Sequence, residues 1–311
     1  MSAVPSPIIS NEKRESDQLR PSITVIATDV DGTLLDSKQQ LRGETVAALK
    51  AAMAKGIQVL IATGKARGPW IDTVLPQLGL TTPGVYMQGL ILYDGDGSIL
   101  YERCMDEDVA RKVIRLGVEE NVTVTAYCGN RILCAERDKH TDRLIGYGEP
   151  VPEAMGSLLD VVGKIPINKL LYMGEQSAID AIRPAVQAAL GREATLVTAL
   201  NGMLEVLPRG ASKGLGLKMV LERMAVDARH VLAIGDGEND IEMLRTVGTS
   251  VAMGNAGAEV KAAAQFVTSS NDESGLALAV ESFVLGGLES GRCRVGEGGR
   301  IEMVERVEVM R

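Results

Sequence analysis

Aromatic residues are scarce. One Trp and two Phe in 311 residues mean that a core of any size must be aliphatic. Histidine is rarer still, with two, and the four cysteines (Cys104, Cys128, Cys134 and Cys293) form no CxxC pair. That argues against a zinc centre or a disulfide framework and fits a reducing compartment. No apolar stretch approaches the roughly 18–20 residues that span a bilayer, so no membrane partner is expected. Positive charge is also short. The formal net charge of −8 argues against nucleic acid as a partner. Small anionic substrates remain open, because a metal ion and a few local cations override the global sign.

What is present is an ordinary globular composition, 45% apolar and 24% charged, long enough for one large domain or two modest ones. Residues 1–22 hold proline, early acids and no sustained apolar segment. They read as a disordered leader rather than a secretory signal, and a cytoplasmic protein is expected. From Ile23 a short apolar run is followed by "ETVAALKAAMAKG", in which Val46, Leu49 and Met53 recur at helical spacing and Gly56 stands at the C-cap position. "IQVLIATG" is then a second buried strand, and strand–helix–strand order implies a parallel crossover.

The pattern returns near the C-terminus. "SKGLGLKMVLERMA" is an amphipathic helix, "HVLAIGD" a buried strand and "NDIEMLRTVG" another helix. The middle differs, with strand pairs beside single helices, including two strands around a turn at 129–130 and the strands "KLLYMG", "ATLVTA" and "LEVLP". The expected fold class is α/β, a doubly wound Rossmann-like parallel-sheet core over residues 23–101 and 200–285. An α+β cap domain, 102–199, is inserted into it, and 286–311 is an appendage whose "RIEMVERVEVM" alternates enough to add a strand.

Three apolar runs end in carboxylate or hydroxyl residues: Asp29 with Asp31, Thr63, and Asp236 in "AIGDGENDIEML". Beyond the carboxyl ends of neighbouring parallel strands these residues and Asp240 would converge. So many carboxylates in one place need a cation, and oxygen-only ligands with a phosphate nearby favour Mg²⁺. A calcium loop fails, because the twelfth position is Gln40 counted from Asp29 and Val247 counted from Asp236. Such a site suits phosphoryl transfer, with one aspartate attacking phosphorus and the other moving protons. Thr63 offers a hydroxyl, the turns at Gly32–Leu35 and Gly64 offer amides, and Lys213 offers a charge.

"DVDGT" at 29–33, "ATG" at 62–64, Lys213 in "SKG" and "GDGEND" at 235–240 resemble the four motifs of haloacid-dehalogenase-superfamily phosphatases, over roughly residues 23–285. The resemblance implies Asp29 as nucleophile and Asp31 as general acid/base, with Thr63 and Lys213 binding the phosphoryl group alongside Gly32, Thr33 and Gly64. It implies Mg²⁺ held by Asp29, the Asp31 carbonyl and Asp236, supported by Asp240 and Asn239. The 150 positions between Thr63 and Lys213 put the cap there, a C2-type (IIB) cap, and "MGNA" at 253–256 is similar to the Cof-type subfamily. The substrate implied is a small phosphorylated metabolite: a sugar phosphate, pyridoxal phosphate or flavin mononucleotide. Two positions depart from the subfamily's usual Asn-Gly and Thr-Gly-Arg: Gln88 before Gly89, and Lys65 after Gly64. Both are expected near the substrate rather than on the chemistry. "ATGKARGPW" resembles plant and algal members, some of them plastidic, which makes a plastid the alternative location.

A second Asp-x-Asp-Gly string, Asp94–Gly97, lies between two strand-like runs and reads as a hairpin turn. Two other functions keep the same motifs: a phosphosugar mutase or phosphotransferase using the same aspartyl-phosphate, and a binding protein that senses a phosphometabolite without turnover.

Overall fold

The computed structural model describes residues 22–286 and two strand segments, 293–295 and 301–303. The expected leader, apart from Ser22, and most of the expected appendage lie outside the described residues. The chain begins with β1 (Val25–Thr28), buried along its whole length, as suits a strand covered on both faces. A tight turn at Val30–Leu34 leads to α1 (Gly43–Ala54), which buries Thr45, Ala48, Leu49 and Ala52 on one side. Then come β2 (Gln58–Ile61), α2 (Trp70–Leu78) and an antiparallel trio, β3 (Gly84–Tyr86), β4 (Ile91–Tyr93) and β5 (Ile99–Glu102).

Next, α3 (Glu107–Glu119) starts at an Asp106 cap whose carboxylate accepts from the amides of Asp108 and Val109. Beyond it lie β6 (Thr123–Cys128), β7 (Arg131–Cys134), β8 (Glu153–Ala154), β9 (Lys169–Met173), α4 (Gln176–Leu190), β10 (Ala194–Leu200) and β11 (Met203–Pro208). The last stretch holds α5 (Lys213–Arg223), β12 (Val231–Gly235), α6 (Ile241–Thr246), β13 (Thr249–Ala252), α7 (Ala258–Ala263), β14 (Phe266–Val267), α8 (Gly275–Phe283), β15 (Cys293–Val295) and β16 (Ile301–Met303). Among the described residues no helix is long and apolar enough to cross a membrane.

Seven strands form one sheet in the order β15-β16-β14-β13-β12-β1-β2, parallel from β16 to β2. The alternating C-terminal segment thus adds β16 beside β14, and β15 pairs antiparallel with it at the edge. In register, Thr28 lies beside both Ile234 and Ile61, so the carboxyl ends of β1, β12 and β2 emerge together.

A second sheet, β10-β11-β9-β6-β7-β8, is antiparallel except where β7 meets β8. Its residues alternate between faces. Leu170, Tyr172, Leu204 and Val206 pack with Val113, Ile114, Ile182 and Val186 of α3 and α4. Tyr127, Leu171, Met173 and Met203 belong to the apolar cluster shared with the parallel-sheet unit. Each large side chain so buried contributes roughly 1.5–3 kcal/mol. The division proposed at residue 199 is displaced: "LEVLP" pairs with β10 and β9, so the inserted sheet continues to Pro208. A hairpin at Asn201–Gly202 joins the two strands, and cutting at 199 would split it.

Candidate active site

At the end of β1 the Asp29 amide donates to the Ile234 carbonyl at 3.0 Å, which ties the turn to β12. Asp29 is 5% exposed. The chain then bends through Gly32 at φ +76°, where a Cβ would lie 2.3 Å from Asp236 Oδ2. Only glycine fits both the conformation and the space. Thr33 donates its hydroxyl to Asp236 Oδ1 at 2.7 Å. Asn255 donates its amide to the Gly32 carbonyl (2.9 Å) and to Asp236 Oδ2 (3.2 Å), clamping turn and carboxylate together.

Lys213 opens α5 behind a Ser212 cap and is fully buried. Its ammonium reaches Asp29 Oδ1 at 2.7 Å and Asp240 Oδ1 at 2.8 Å. Burial works against that charge, yet the two carboxylates hold the lysine above its ordinary value. The other oxygen of Asp240 accepts from the amides of Asp236 and Gly237, at 3.0 and 2.9 Å. Asp240 therefore has both oxygens engaged and supports the site from behind.

Burial, reinforced by repulsion from Asp240, pushes Asp29 well above the usual carboxylate range despite Lys213. The same two causes raise Asp236 to about 7. Asp29, Asp236 and Asp240 each bring a carboxylate oxygen to within 4.8 Å of the others, a set of hard donors suited to a divalent cation. The Asp31 carboxylate is not one of this group.

It is turned to Lys65, whose ammonium lies 2.9 Å from Asp31 Oδ1, 3% exposed, and also donates to the Tyr147 carbonyl. The rings of Trp70 and Tyr147 lie 5.8 and 5.6 Å from it. The departure at Lys65 thus sits directly on a motif aspartate, contrary to the expectation from sequence. Thr63 accepts from the Lys65 amide at 3.1 Å, which folds residues 63–65 into a turn. Gln88 is buried beneath that turn and accepts from Asn239 Nδ2 at 3.2 Å.

The inserted sheet closes over these residues, and a narrow cleft remains between the two units. Asp29, Asp31, Thr63, Gly64 and Asp236 form its floor, and Tyr127, Leu171, Met203 and Glu205 are part of its roof. Sequence reading passed over the residues that join roof to floor. Lys169 donates to the Gly64 carbonyl and to Glu205 Oε1, both at 2.8 Å. Glu149 accepts from the Ala66 amide at 3.1 Å, and burial raises its carboxyl to about 7 against the pull of Lys65 and Lys169. A charge inside an otherwise apolar strand, as in "KLLYM" and "LEVLP", was the available signal. Glu149 carried none.

A family profile of haloacid dehalogenase-like hydrolases matches residues 26–280. The chain is 36% identical over 285 residues to the Arabidopsis thaliana protein named Endoribonuclease YBEY, chloroplastic, covering 87% of this chain and 49% of that one. It spans about half the length of that relative. With Phosphatase YwpJ of Bacillus subtilis it shares 29% identity over 280 residues, 81% of this chain and 97% of the other. A solved HAD/COF-like hydrolase of Plasmodium vivax superposes with a TM-score of 0.78 at 27% identity, across 86% and 97% of the two chains. Motif order, strand-end geometry and these similarities agree: the chain belongs to the haloacid dehalogenase-like hydrolases.

Proposed function

We propose that this protein is a Mg²⁺-dependent phosphatase that hydrolyses small phosphate monoesters through a phosphorylated Asp29. The observation that carries the reading is the meeting of Asp29 and Asp236 on the floor of one cleft, with the buried cation of Lys213 held 2.7 Å from Asp29. The donor set fits a hard divalent ion, because two buried carboxylates held above their usual range are relieved by a positive charge between them. Asp29, Asp236 and the Asp31 carbonyl would hold it. Bound there, Mg²⁺ compensates charge on the phosphoryl oxygens.

The rest falls to the chain's own groups. Asp29 attacks phosphorus as the bond to the leaving oxygen breaks, and Asp31 gives that oxygen its proton. Asp31 then takes a proton from water, which attacks phosphorus and releases Asp29 and inorganic phosphate. The Thr63 hydroxyl and the amides around Gly32 and Gly64 donate to the phosphoryl oxygens, with Lys213 supplying charge. Lys65 holds Asp31 in place, and Asp240 holds Lys213.

The substrate is a small phosphorylated metabolite of the sugar phosphate, pyridoxal phosphate or flavin mononucleotide class, and the name of the Bacillus relative supports the reaction. The endoribonuclease activity named for the Arabidopsis relative is not carried over to a chain that spans half of it, whereas its chloroplastic location supports the plastid alternative to the cytoplasm. Two measurements test the reading. Chelation should stop phosphate release from p-nitrophenyl phosphate, with Mg²⁺ restoring it. Rapid acid quench and peptide mass spectrometry should find phosphate on Asp29; turnover with no such adduct, or turnover by Asp29→Asn, would overturn the mechanism.

A further inference from the structure

The roof of the cleft carries a buried acceptor that the reaction does not use. Glu205 is 4% exposed, and its Oε1 is taken by Lys169, but its Oε2 has no partner. Asn239 Oδ1, from the floor of the same cleft, is likewise buried without one. Desolvated acceptors of this kind cost stability until a donor arrives. Cations do not balance them. Among the described residues only one cation lines the cleft, Lys65, and its ammonium is held by Asp31 and the Tyr147 carbonyl. Lys169 is spent on Glu205 and on the Gly64 carbonyl. Glu149 adds a second carboxyl on the roof side.

We infer that the space above the phosphate is built for a neutral leaving group rich in O–H or N–H donors, which Glu205 and Asn239 accept from, and that it rejects leaving groups carrying a second phosphate or carboxylate. This rests on the phosphatase reading, since only a bound monoester puts a leaving group there. A polyol or amino alcohol satisfies the two orphan acceptors. A second anion would meet two carboxyls and no unspent cation, in a cleft where water screens poorly. Glu205 is thereby a specificity-determining residue.

The test uses the full chain with Mg²⁺ and compares kcat/KM for fructose 6-phosphate and fructose 1,6-bisphosphate, with p-nitrophenyl phosphate as the reference ester. The unmodified protein should prefer the monophosphate by about tenfold or more, the scale of one close charge interaction. Glu205→Gln releases the Lys169 charge and should shrink that preference by about tenfold. Assayed at pH 8, where Glu149 is ionised, Glu149→Gln should shift the ratio the same way, and its result decides if the first variant does not fold. A merely structural role for Glu205 would lower both rates together and leave the ratio fixed. Equal turnover of the two sugars, no turnover of the monophosphate, or a ratio unmoved in the folded variants overturns the inference while release from the reference ester keeps the phosphatase reading. Release from no ester at all removes that reading and this inference with it.

Discussion

Two Asp-x-Asp-Gly strings stand in this chain, Asp29–Gly32 and Asp94–Gly97, and the structure gives them opposite fates. The second closes the hairpin between β4 and β5. Its hydrogen bonds are local: Gly95 donates to the Asp94 carboxylate, Ser98 to that of Asp96, and Gly97 to the Asp94 carbonyl. Both aspartates are exposed. The first string ends a central parallel strand, and its carboxylates find distant partners: Lys213 for Asp29 and Lys65 for Asp31. An antiparallel hairpin uses its turn to return the chain and satisfies the polar groups on the spot. A parallel strand end has no such obligation, and its polar groups are left to meet those of neighbouring strands.

The widest contrast should come from removing the first aspartate of one string and the second of the other. Asp29→Asn is expected to lower phosphate release by about 10⁴-fold, whereas Asp96→Asn should leave it unchanged. Loss of activity in the hairpin variant would break the comparison. The glycines offer a subtler test, because both hold positive φ, +76° at Gly32 and +88° at Gly97. Alanine should cost about 1–2 kcal/mol at either, read as a fall in Tm. Its Cβ would press on Asp236 in the first case and approach the movable Arg67 guanidinium at 3.1 Å in the second. Only Gly32→Ala should therefore also lose activity, by about 10²-fold.

A third contrast separates a buried carboxyl from an exposed one. Hydrogen bonds from Ser98 lower Asp96, so what it adds to stability is present above its ordinary range and is lost as pH falls. Glu149 has the opposite sign. Burial raises it from 4.5 to about 7, so the folded state keeps a proton that the unfolded chain gives up. Stability from this group is full below pH 4.5 and declines as pH rises to about 7, by up to about 3 kcal/mol. Denaturant melts across that window should show a shallower decline in Glu149→Gln; an unchanged slope would show that the carboxyl does not carry it.

Much of the parallel-sheet unit was legible because its signals are local or ordered along the chain. Apolar β-branched runs mark strands, three-and-four spacing marks helices, and the four motifs mark the floor of the cleft. The turn at Asp94 was legible for the same reason. Contacts that cross the cleft were not. Nothing near Lys65 says that its ammonium will settle on Asp31 rather than on a substrate, and nothing near Thr33 turns its hydroxyl toward Asp236. The roof residues Glu149, Lys169 and Glu205 are brought over residues 63–66 by the pairing of β9 with β11 and by a loop lacking periodicity. Two of them announced themselves as charges in apolar strands, but a sequence does not say what a buried charge faces.

The short segment Gly64–Lys65–Ala66 has a kinetic consequence. Each of its residues is tied to the roof: the Gly64 carbonyl to Lys169, the Lys65 ammonium to the Tyr147 carbonyl, and the Ala66 amide to both oxygens of Glu149. The residue before them, Thr63, belongs to the floor of the cleft. For the roof to lift, the bonds on these three successive residues must part together with those from Arg183 and the Thr198 amide to Glu238. The loop that lines the floor thus also holds the roof, and loosening that tripeptide should shorten the time the roof stays closed.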